Sequence, residues 1–86
     1  WIGKAYNNLG IGLYDNGETA LAITAYQYSL HFVPDRATTL KELAKALQKQ
    51  GGQPAATAAM LRAAQIAPHD QSTLYNAALG LFILGK

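Results

Sequence analysis

The sequence predicts an all-α protein built from repeated antiparallel helix pairs, and three observations carry that expectation. Sliding the chain along itself by 34 residues puts like on like from end to end. Within each candidate segment, apolar and small residues fall at i, i+3, i+4 and i+7, the spacing of one helix face. Gly17, Pro34, Gly51 and Pro68 stand between the segments, where a helix has to stop.

The first segment contains Gly10-Ile11-Gly12-Leu13-Tyr14-Asp15-Asn16-Gly17, whose glycines invite a phosphate-loop reading. A dinucleotide fingerprint needs its third glycine where Asp15 stands, and a P-loop ends in Gly-Lys-Ser/Thr, whereas Gly17 is followed by Glu18-Thr19. At the 34-residue offset the stretch becomes Ala44-Lys45-Ala46-Leu47-Gln48-Lys49-Gln50-Gly51, a strong helix former up to its final glycine. The first segment is therefore a helix ended by Gly17, with Tyr6, Leu9, Gly10 and Leu13 as its buried stripe.

The second helix carries Ala22, Tyr26, Ser29 and Leu30 on one face and closes at Pro34. Leu40, Leu43, Ala44 and Leu47 give the third helix the same stripe as the first, and Gly51 ends it in the left-handed conformation that glycine adopts freely. Pro54 opens the fourth helix, where a missing amide costs nothing, and Ala56, Met60, Ala63 and Ala64 form its stripe up to Pro68. The fifth helix, Thr73 to Leu84, carries Leu74, Ala77, Ala78 and Leu81, with Ser72 expected to help cap its start. Small residues at Gly10, Ala44, Ala78, Ala22 and Ala56 let paired backbones approach closely. Because alanine stands at 44 and 78, Gly10→Ala is expected to be tolerated or mildly stabilising.

Composition narrows the function classes. Eighty-six residues make one domain at most, enough for a single modest core. The net charge of +2 is too small to argue for nucleic acid. Charged residues are 14% of the chain, against about 25% in typical soluble domains, so solvating surface is scarce. No apolar run approaches the roughly 18 residues that span a bilayer, so no membrane insertion is expected. With no cysteine there is no disulfide framework, thiolate metal site or thiol nucleophile. The chain starts at Trp1 without a signal-peptide pattern and reads as an excerpt. His31 and His69 fall at or beyond the ends of second helices, where an imidazole meets terminal carbonyls, and neither has a partner at i+3 or i+4 for a helical metal pair. No nucleophile, base and orienting group assemble from these residues, so neither an enzyme nor a cofactor or metal site is expected.

The 34-residue period, the bulky-x-x-Leu-Gly/Ala-x-x-Leu pattern of the first helices, the turn glycines, the alanine and aromatic of the second helix and its closing proline together resemble the tetratricopeptide repeat. The likeness runs through AYNNLGIGLYDNGETALAITAYQYSLHFVP and LKELAKALQKQGGQPAATAAMLRAAQIAP, with departures at Leu40, Leu74, Met60 and Ala77. It implies a right-handed α-solenoid of antiparallel helix pairs: repeat one over 3–36, repeat two over 37–70 and a partial repeat three over 71–86.

The resemblance further implies a concave groove, lined by first helices, that binds a peptide or helix of a protein partner. Carried over position by position, its lining is Lys4, Asn7, Ile11, Tyr14 and Asp15, then Lys41, Lys45, Gln48 and Lys49, then Tyr75, Asn76, Leu79, Phe82 and Ile83. Lys41, Lys45 and Lys49 run as one stripe at i, i+4 and i+8, flanked by apolar groups. Such a groove suits a segment with an acidic side chain or C-terminal carboxylate and one or two apolar anchors. Some family members clamp a C-terminal carboxylate with lysines and asparagines; here Lys41 and Asn76 match, while Ile11 and Lys45 stand where asparagine is wanted. A solvated lysine face is the plain alternative. A self-assembling structural segment, associating through its C-terminal helix, and a regulatory or substrate-positioning array of a larger enzyme are the other two readings.

Overall fold

In the computed structural model, which describes residues 1–85, five α-helices follow one another: α1 (Ile2–Asp15), α2 (Thr19–Phe32), α3 (Ala37–Lys49), α4 (Gln53–Ile66) and α5 (Gln71–Leu84). No strand occurs among the described residues, and each helix packs against the next. The connections are so short that the chain must reverse at each one, giving antiparallel neighbours.

Backbone chemistry sets the reversals. Gly17 and Gly51 have φ of +83° and +84°, the only positive values among the described residues. At the first turn the Gly17 amide donates to Tyr14 O (3.0 Å) and the Glu18 amide to Leu13 O (2.8 Å). At the second, Gly51 donates to Gln48 O (3.0 Å) and Gly52 to Leu47 O (2.9 Å). Both are Schellman endings, in which a left-handed residue turns orphan carbonyls toward the following amides. Pro54 lies in the first turn of α4, as its missing amide favours.

The core gathers where α2 meets α3: Ala22, Ile23, Tyr26, Leu43 and Ala46 are buried, with Leu13, Leu30 and Leu47 packed around them. Tyr26 is fully buried and its hydroxyl has no hydrogen-bond partner among the described residues. Burial, reinforced by the Glu42 and Asp15 carboxylates, pushes that phenol up to about 12.

Three sequence expectations need correction. A Cβ built on Gly10 would lie 2.5 Å from Cε1 and 2.6 Å from Cδ1 of Tyr26, whose ring has no room to retreat, so alanine is not tolerated there as it is at Ala44. The residue 34 positions after Tyr26 is Met60, an unbranched chain that yields to an added methyl. Leu9 is 52% exposed although it belongs to the expected stripe, whereas its counterpart Leu43 is buried in the core against α2. The cap of α5 is Asp70, which accepts from the amides of Ser72 (3.1 Å) and Thr73 (3.4 Å), so Ser72 is the capped residue.

A buried relay joins α1, α2 and α3. Ser29 Oγ donates to Gly3 O at 2.6 Å, and Thr39 Oγ1 donates to Asn7 Oδ1 at 2.8 Å. With both protons committed, the 3.5 Å approach of the two hydroxyls is a contact that closes the relay.

Candidate functional site

Alongside α3 and α5, floored by α4, runs an open cleft of about 320 Å³. Its α3 wall carries Lys41, Glu42, Ala44, Lys45 and Gln48; its α5 wall carries Asn76, Leu79, Gly80 and Ile83; Gln53, Ala56, Thr57 and Met60 of α4 lie between. Gly80 governs how deeply α5 sits. A Cβ there would meet Thr57 Oγ1 at 2.6 Å, so glycine lets the two backbones close, and Gln53 Nε2 donates to the same hydroxyl at 3.2 Å.

The cleft is polar on one side and apolar on the other. Lys41 Nζ lies 2.9 Å from Asp70 Oδ2, tying α3 to the start of α5. Asp70 also accepts from Thr73 Oγ1 at 2.8 Å. The Lys41 hydrogen bond first, then those from Thr73, hold its carboxyl down at about 2. Lys45 Nζ lies 3.8 Å from Glu42 Oε2, beyond hydrogen-bond range, and its side chain is more than half exposed. Lys45 and Lys49 both sit over the Tyr14 ring, 5.2 Å and 4.8 Å from its centroid, in cation–π geometry. The lysine stripe is thus three different environments: Lys41 is committed to the fold, Lys45 is loosely held, and Lys49 rests on an aromatic face.

Of the residues expected from sequence, the cleft gathers Lys41, Lys45, Gln48, Asn76, Leu79 and Ile83. Tyr14 stands at its edge through Lys45. Asn7 is buried and its oxygen is taken by Thr39, so it serves the joint between α1 and α3. Ile11 packs on the core, half-buried, and Lys4 is exposed on α1. Tyr75 and Phe82 lie on the neighbouring strip of α5, outside the cleft, with 68% and 65% of their surface exposed. Sequence reasoning missed Glu42 and Asp70, the two carboxylates that meet the lysines. Asp70 had a signal, an acidic residue just before Ser72-Thr73 at a helix start; Glu42 had its i, i+3 spacing to Lys45.

Among the described residues, no three His, Asp or Glu side chains group to hold a metal ion, and no helix is long and apolar enough to cross a membrane. Compared with known proteins, the chain matches no protein-family model and no curated protein.

Proposed function

We propose that the chain is part of a tetratricopeptide-type right-handed solenoid, two 34-residue repeats and one further helix, that binds an extended peptide segment of a protein partner in the cleft between α3 and α5. The repeat reading is supported by backbone that recurs at the same offset. Glu18 and Gly52 precede α2 and α4 with φ/ψ of −86°/62° and −85°/59°; Arg36 and Asp70 precede α3 and α5 with −84°/99° and −83°/102°.

The observation that carries the binding reading is a cleft with a loosely held ammonium on one wall and Leu79 and Ile83 on the other. An acidic side chain or terminal carboxylate reaches Lys45 by displacing Glu42, while an adjacent apolar residue covers Leu79 and Asn76 offers hydrogen bonds to the peptide backbone. Lys41 contributes indirectly, by fixing the position of α5.

A library of peptides with free C-termini, screened on the chain and followed by amide-shift mapping, tests this. Selected peptides are expected to carry a carboxylate beside an apolar residue and to shift Lys45, Gln48, Asn76 and Leu79. Lys45→Ala should weaken them about three- to tenfold and flatten their salt dependence, while Glu42→Gln, which removes the competing carboxylate, should tighten them. Arg62→Ala on α4 is the control. Equal losses at Arg62 and Lys45 would reduce the effect to net charge, and shifts lying away from the cleft would overturn the assignment.

A further inference from the structure

Asn16-Gly17 closes the turn between α1 and α2, and it is the one place in the sequence where asparagine precedes glycine. Both residues are exposed. Asn16 has φ/ψ of −87°/5° and is followed by the positive φ of Gly17; at the 34-residue offset Gln50 has −86°/4° and is followed by the positive φ of Gly51. The same backbone thus presents two side chains that differ by one methylene.

We propose that Asn16 is a site of spontaneous covalent modification, deamidation through a cyclic imide, and that the fold gates it by holding this turn closed. The Gly17 nitrogen gives its proton to solvent base and bonds to Asn16 Cγ; the bond from Cγ to Nδ2 breaks, and Nδ2 takes a proton from water and leaves as ammonia. Water then opens the five-membered ring. Opening at Cγ leaves aspartate, whereas opening at the main-chain carbonyl leaves isoaspartate, in which the chain runs on through Cγ. Glycine permits the attack because no side chain shields its nitrogen. Gln50 would have to close a six-membered ring and fix one more rotatable bond, which costs it the intramolecular advantage. Asn7, Asn8 and Asn76 lie inside α1 and α5, each followed by a residue with a side chain and by an amide engaged in the helix.

The closed turn is the wrong shape for this reaction. With ψ at 5° the Gly17 nitrogen eclipses the nitrogen of Asn16, and the tetrahedral Cα keeps the Asn16 side chain out of line with it. The Gly17 amide also donates to Tyr14 O at 3.0 Å, so its proton is engaged. Attack therefore waits until the end of α1 opens. Once formed, isoaspartate does not fit the turn it came from. It adds one main-chain atom between the Asn16 amide, which donates to Gly12 O at 3.1 Å, and the Gly17 and Glu18 amides, which donate to Tyr14 O and Leu13 O. Either product also places a carboxylate between Asp15 and Glu18 at the C-terminal end of α1, where the helix dipole disfavours an anion. Leu13 packs on the core and the Tyr14 ring carries Lys45 and Lys49, so the disturbance reaches the joint of α1 with α2 and the edge of the cleft. The site stands apart from peptide binding.

The full chain and a peptide of residues 12–19, incubated side by side in mildly alkaline buffer, are followed by mass spectrometry with fragmentation that distinguishes isoaspartate from aspartate. Asn16 should convert about ten- to a hundredfold more slowly in the folded chain than in the peptide, and denaturant below the unfolding transition should narrow that gap. Gln50, Asn7, Asn8 and Asn76 should stay intact over the same period, and Asn16→Gln should abolish the change. The isoaspartate form, separated by ion exchange, should unfold at lower urea than Asn16→Asp, which carries the same charge on a chain of ordinary length. An Asn16 still intact after about a hundred peptide half-lives, or one that converts no faster than Gln50 or the other asparagines, overturns the site. Conversion as fast as in the peptide overturns the gate, and an isoaspartate form as stable as Asn16→Asp overturns the effect on the turn.

Discussion

Gly10 and Tyr26 form a matched pair in which the missing methyl of one makes room for the ring of the other. Gly10→Ala should therefore destabilise the chain by about 1–3 kcal/mol, the usual cost of overpacking a filled site. The other helix pair shows the alternative solution, Ala44 with Met60. Introducing Tyr26→Met alongside Gly10→Ala should make the double variant more stable than the sum of the single effects, since each change is tailored to the other. Urea unfolding of the four proteins closes the cycle. Additive losses would mean that Tyr26 moves aside and that the two positions are independent. The sequence could show a small residue at Gly10 and Ala44 and a larger one at Tyr26 and Met60; only the Gly10–Tyr26 contact shows why the glycine and the alanine are not interchangeable.

The start of α5 depends on one carboxylate that serves both the helix and its neighbour. Asp70 is ordinarily ionised above pH 3.8, and in the fold its value is held down at about 2. A group whose folded value lies below its unfolded one stabilises the fold above the unfolded value, and that contribution disappears as pH falls through the folded value. The advantage of the parent over Asp70→Asn in thermal unfolding should thus be full at pH 6, shrink from about pH 4 and vanish near pH 2. A difference that is constant across this range would remove the charge from the explanation. At this scale the helices were largely legible, because stripes of i, i+3, i+4 spacing and the Gly and Pro stops are local signals. The joints were not. Whether Leu9 is covered, or whether Lys41 faces water, depends on which helix lies alongside, and no periodicity within one helix contains that information.

Across the whole molecule, which measures 35 × 26 × 17 Å, the core lies at the junction of α2 and α3, while α1 packs chiefly on α2 and α5 chiefly on α4. In dilute solution, hydrogen exchange should be slowest in α2 and α3 and faster in α1 and α5, as expected when stability is shared between nearest neighbours along an array. Uniform protection from α1 to α5 would instead indicate a single all-or-none unit. The two joints of α3 also differ mechanically. Towards α1 it is fastened by the Thr39 hydroxyl on Asn7 inside the protein, where a satisfied hydrogen bond resists sliding. Towards α5 it is fastened by the Lys41–Asp70 ion pair, beyond which α5 leans on α4 through the close approach at Gly80. A shift of α5 about the Lys41–Asp70 pair would therefore carry Ile83, at the far end, through a wider arc than Asn76, so the jaw beside α3 would open most at its apolar end.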